Sequence, residues 1–157
     1  MANKQIDTLN ILLNQLEKHI PFKDKNNTLI SKSNVGWQLD HTIKVINAVS
    51  SVLAKTDPKK YKKNFNLRRT ILFALGYIPR GKAKAPKTVL PPNTISTQDL
   101  ISQLETAKKQ IESIKALPKN AYFIHHIFGM LTKKQTLRFL EIHTKHHLKI
   151  VNDILNQ

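Results

Sequence analysis

Apolar residues recur along this chain at spacings of three and four, and polar or proline-containing breaks separate the runs. Ile6, Leu9, Leu13, Leu16 and Ile20 put one stripe on a helix over about residues 2–20, which Pro21 ends. After a polar connection from Lys23 to Lys32, Ser33 or Asn34 caps a second helix running to about 55. Its apolar arc is wide. Trp37, His41, Val45, Ala48 and Val52 form one stripe, and Leu39, Ile43, Ile46, Val49 and Leu53 broaden it. Asp57-Pro58 breaks the chain, with Pro58 suited to a short helical piece through Tyr61. Residues 66–76 predict a short helix with Gly76 just past its end. Leu100, Leu104, Ala107, Ile111 and Ile114 predict a helix over about 97–117, capped by Thr97 and ended by Pro118. Thr132 caps the last helix, over about 132–156. The expected class is all-α: an up-and-down four-helix bundle in one domain (1–157), with an extra short helix and a long basic loop outside it.

The last helix carries the chemistry. Leu140, His143, His147, Ile150 and Ile154 follow the 3, 4, 3, 4 spacing of a packed seam, while Glu141, Lys145, Lys149 and Asp153 leave the other side polar. His143 and His147 therefore project from one core-facing side, one turn apart, and can share a ligand. A buried imidazole needs a partner, since an unpaired polar group in apolar surroundings costs about 1–3 kcal/mol. A divalent cation satisfies both, and so do hydrogen bonds to a neighbouring helix. His41, in the second helix one turn after Trp37, adds a third core-facing histidine from a different element. Three neutral nitrogens leave at least one metal position open, as a catalytic or ligand-binding site requires. Imidazole ligation suits zinc, nickel, copper or iron and does not choose between them; the expected ion is zinc or nickel, with iron behind. His19 reads as a cation at a helix C-terminus and His146 as a surface residue.

Composition changes this picture little. The 157 residues contain no Cys, so neither disulfides nor thiolate ligands enter. The net charge of +16 attracts anions of every kind, but the lysines are spread along the chain. No signal-peptide core or membrane-length apolar run occurs, which predicts a cytoplasmic protein without a membrane partner. The Pro-rich basic loop at 78–92 offers Arg80, Lys82, Lys84 and Lys87, which either hold an anion or stay solvated. It has no aromatic residue for base stacking, which argues against a specific nucleic-acid partner.

Four stretches together resemble a known family: Ser33-Asn-Val-Gly-Trp-Gln-Leu-Asp-His-Thr, Ile78-Pro-Arg-Gly-Lys-Ala-Lys-Ala-Pro-Lys, Asn120-Ala-Tyr-Phe with the following His-His-Ile-Phe-Gly, and Phe139-Leu-Glu-Ile-His-Thr-Lys-His-His-Leu. Over roughly residues 30 to 155 the chain is similar to a subfamily of unknown function in the DinB-like (YfiT-like) four-helix-bundle superfamily. The resemblance implies a divalent metal on His41, His143 and His147, and some superfamily members are thiol-dependent transferases or isomerases. The chain departs from the subfamily pattern at His126, which stands where the subfamily has a Pro after the His matched by His125.

The leading expectation is a metal-dependent transferase or hydrolase acting on a small molecule, with an anionic thiol as cosubstrate. Trp37 and His125 would line its pocket, and Arg80, Lys82 and Lys84 would stand at the mouth. The alternatives are a non-catalytic metal- or ligand-binding protein and, behind it, a basic nucleic-acid binder. A monomer or a homodimer is expected.

Overall fold

Each apolar stripe closes into the helix its spacing predicts, in a computed structural model that describes residues 2–81 and 84–156. Lys82 lies outside the described residues. The elements are α1 (Ala2–His19), α2 (Val35–Lys55), α3 (Leu67–Leu75), α4 (Thr97–Ser113), β1 (Tyr122–His125), β2 (Gly129–Thr132) and α5 (Lys133–Leu155). The fold is mostly helical with one small antiparallel sheet, which corrects the all-α expectation. Side chains set the helix starts. Asn34 accepts the Trp37 amide, Thr132 and Gln135 form a reciprocal capping box, and Ser96 rather than Thr97 caps α4. Among the described residues no helix is long and apolar enough to cross a membrane.

α1 packs on α4 and α5, and α2 packs on the same two helices. Leu13, Ile43, Leu104 and Leu140, one from each long helix, are fully buried in the shared core. Burying each such side chain stabilises the fold by about 1.5–3 kcal/mol. Polar ties give the directions. Gln5 reaches the Lys134 carbonyl, so α1 and α5 start at the same end. Asn10 bonds Glu112 and Lys108 bonds Glu17, so α4 runs against α1. Backbone bonds from Val35 to Lys25 and from Gly36 to Lys23 hang the start of α2 beside the end of α1. A Cβ on Gly36 would stand 2.9 Å from the Lys23 oxygen, which is why this close approach takes a glycine. At the other end, the Tyr122 amide donates to Thr56, bringing the segment after α4 to the end of α2. α2 and α4 therefore run the same way. The order of the long helices is up, down, down, up, instead of the alternation expected from sequence, because residues 56–96 carry the chain back along α2.

That crossover is the most one-sided stretch of the molecule. Between Pro58 and Gln98 there is no Asp or Glu, so the positive charge is less evenly spread than the overall composition suggests. It also clamps the sheet. β1 and β2 pair from Tyr122↔Thr132 to His125↔Gly129, with Gly129 in the left-handed conformation (φ +71°) after a three-residue loop. Asn66 donates to the Ile127 carbonyl and Asn64 to the Met130 carbonyl. The buried Arg69 guanidinium donates to the carbonyls of Phe128, Met130 and Asn64.

Replacing Arg69 by Met keeps the apolar stem and strands these carbonyls. Arg69→Met is expected to cost about 2–4 kcal/mol in urea unfolding, with amide exchange accelerated first at residues 122–132. A loss below about 0.5 kcal/mol would mean that the hairpin stands without the clamp.

Candidate metal centre

The two apolar stripes of α2 have different destinations. Leu39, Ile43, Ile46 and Leu53 enter the core, whereas Trp37, His41, Val45, Ala48 and Val52 face a cavity of about 360 Å³, and Val49 borders both. His143 and His147, from the facing seam of α5, reach the same cavity. One ring nitrogen from each of His41, His143 and His147 falls in a group whose members all lie within 4.8 Å of one another. The ring centroids are 4.6 to 5.3 Å apart. Trp37 stacks on His41 at 5.0 Å and covers that side of the cluster.

Hydrogen bonds decide which nitrogens are free. His41 Nδ1 lies 2.9 Å from the Val89 carbonyl and His147 Nδ1 lies 2.6 Å from Gln38 Oε1. Both partners are acceptors, so each Nδ1 carries the proton and each Nε2 keeps a lone pair. A metal-ligating histidine is commonly oriented by this kind of carbonyl contact. His143 Nδ1 is sealed from solvent with no hydrogen-bond partner among the described residues. Such an orphan is uncommon in a folded interior.

Burial also keeps the three rings neutral. Desolvation pushes His143 and His147 well below the ordinary imidazole value, with neighbouring imidazoles adding to it. His41 is lowered by burial against the opposing effect of the Val89 bond. Neutral rings with free lone pairs are the form in which imidazole binds a cation.

The structure brings together most of the residues expected at the site. Trp37 and His125 line the cavity, as does Lys84 from the crossover. Arg80 is not among the residues lining the cavity, although its charge acts on His146 there. It pairs with Asp153 on α5 and straps the loop to that helix. The loop itself folds back over the cluster, with Val89 buried. Glu141, expected on a polar surface, is buried and bonded to Arg138 and Lys145. His146 is not a surface residue either. Half-buried, it lines the cavity and meets the backbone of Ile78. Six of the seven histidines line this one cavity, and the seventh, His19, bonds the Gln15 carbonyl at the end of α1. Gln38 and Val89 carried no sequence signal, because orienting a histidine takes a carbonyl that many residues can supply. Compared with known proteins, the chain matches no family model, no curated protein and no solved structure.

The buried imidazoles make stability depend on pH. In the unfolded chain they take up protons near the ordinary value of about 6.5, and in the fold only at lower pH. The unfolded chain therefore binds more protons in between. Stability is full above about pH 6.5 and falls as the pH drops through it toward the lowered values. For metal-free protein the urea midpoint is expected to decrease from about pH 7 to about pH 5. The decrease should be shallower in a His143→Leu variant. A midpoint that rises or stays level would contradict the burial argument.

Proposed function

We propose that the protein is a metal-dependent enzyme acting on a small molecule, a thiol-dependent transferase or a hydrolase, with His41, His143 and His147 holding a divalent ion. The observation that carries this reading is the convergence of three neutral imidazoles on one wall of a largely apolar cavity. The donor set fits such an ion. Two of the rings have lone pairs freed by carbonyl contacts, and the third has a buried nitrogen that lacks a partner. Three protein ligands leave a position for another molecule, which separates this set from a closed structural site. When bound, a zinc, nickel or iron ion there supplies a Lewis acid and favours the deprotonated form of a water or thiol.

The remaining functions fall to the chain. The Val89 carbonyl and Gln38 fix ring orientation, Trp37 and the hairpin keep water from the cluster, and the acid-free crossover attracts an anionic cosubstrate. The motif resemblance to the DinB-like bundle superfamily supports the thiol-dependent form of the proposal. A second reading, a metal- or ligand-binding protein without catalysis, draws on a specific observation. No Asp or Glu is among the residues lining the cavity. Proton transfer there would rest on imidazoles and Lys84.

Metal analysis of untagged protein tests the centre. One ion per chain is expected, lost in His143→Ala. Gln38→Leu releases His147 Nδ1 and should weaken metal affinity by about 10- to 100-fold while leaving the stoichiometry at saturation unchanged. A metal content unaffected by His143→Ala would end the proposal. The metal-loaded protein should then consume a low-molecular-weight thiol in the presence of an electrophilic acceptor, or hydrolyse a small ester or amide. If it does neither, the binding-protein reading replaces the enzyme.

A further inference from the structure

One more imidazole in the cavity carries its proton on the nitrogen opposite to that of His41 and His147. His125 ends β1, and its Nδ1 accepts the backbone amides of Ile127 and Phe128 at 3.1 and 3.2 Å. A nitrogen that accepts from two N–H groups bears no proton, so in the neutral ring the proton sits on Nε2. The ring is held on several sides. It stacks on Phe128 at 4.5 Å and on His126 at 4.6 Å, and meets Phe139 edge-on at 4.7 Å. Phe139 also touches His143, so His125 and the cluster flank one aromatic side chain. Burial, with a further push from His126, lowers His125 to about 4 and keeps it neutral near pH 7. Among the described residues its Nε2–H meets no acceptor. The cavity thus contains lone pairs at His41 and His147 and a fixed hydrogen-bond donor at His125.

We infer that His125 is a ligand-binding residue that donates Nε2–H to an oxygen of the molecule seated at the three histidines, and that this molecule is a small carboxylate or carbonyl compound with an apolar body. The inference rests on the metal reading above and adds the chemical class of ligand. The donor needs an acceptor, and a ring with one nitrogen protonated and the other committed to the turn cannot act as a fourth metal ligand. An ammonium head finds no carboxylate on the cavity wall, whereas a carboxylate finds Lys84 and the positive crossover nearby. Val45, Val49, Phe123 and Ile127 offer apolar surface to the rest of the molecule.

Two substitutions separate the donor from the turn. His125→Asn places an oxygen where Nδ1 accepts and so keeps the hairpin loop, but it has no donor at the Nε2 position. His125→Gln keeps a donor near that position and gives up the turn acceptor. The probes are phenylacetate, which brings two oxygens, and benzyl mercaptan, which offers sulfur alone. Each is titrated into the cobalt-loaded full chain and followed by the visible absorption of cobalt. Phenylacetate should bind roughly 10- to 100-fold more weakly to His125→Asn and regain most of that loss in His125→Gln. Benzyl mercaptan should bind all three proteins within about twofold, and cobalt content should not change. Equal phenylacetate affinity in wild type and His125→Asn overturns the inference, as does a cobalt-loaded wild type that ignores phenylacetate. Loss of cobalt in His125→Asn would make His125 a metal ligand and overturn it too. A wild type that takes up no cobalt at the three histidines fails one step earlier, at the metal reading itself.

Discussion

Removing an imidazole from water is costly unless both ring nitrogens are provided for, and this cluster removes three in one small volume. Much of the structure around it follows from that demand. The Val89 carbonyl that accepts the His41 hydrogen bond belongs to the crossover, so the loop has to fold back along α2. Gln38, which accepts the His147 hydrogen bond, sits on α2 one turn before His41, so α2 and α5 must pack face to face. What remains after these contacts is a set of nitrogens with lone pairs and no protein partner. That residue of unmet bonding is the strongest physical sign of a ligand.

The crossover has a second duty where the hairpin lines the cavity. Asn64, Asn66 and Arg69, just before and within the first turns of α3, hold the carbonyls of residues 127, 128 and 130. Those bonds fix the loop whose amides in turn fix the tautomer of His125. Gly129 belongs to the same arrangement. Its positive φ turns the chain back, and a Cβ there would stand 3.0 Å from Asn64 Oδ1. One acid-free segment therefore sets the proton position on two histidines of the cavity.

The helices and the three central histidines were legible in the sequence because periodicity reports directly on which side of a helix is buried. Leu140, His143, His147, Ile150 and Ile154 needed only their spacing. Periodicity does not distinguish a core from a cavity. The Trp37–Val52 stripe and the Leu39–Leu53 stripe looked like one broad apolar arc, yet apart from Val49, which borders both, they serve different spaces. Nor does it give direction, which depended here on where a long crossover lands. His146 was misplaced for a related reason. Its position on the helix is peripheral, and only the loop lying on α5, strapped by Arg80 and Asp153, encloses it. The hairpin left a readable trace in Tyr122-Phe-Ile-His and Gly129, β-favouring residues closed by a glycine, which the helical reading of its surroundings obscured.

Surface loops usually accept insertions and deletions at little cost, since closure entropy grows slowly with length. The stretch from Ile78 to Val89 is an exception. Arg80 anchors one side of it to α5, and the Val89 carbonyl anchors the other to a ring of the cluster on α2. Its length is thus a measured span between two helices. Adding or removing a residue there would move the carbonyl and change the set of free nitrogens at the centre. In this chain a change that looks like loop drift in a sequence comparison is a change in which imidazole nitrogens are left free.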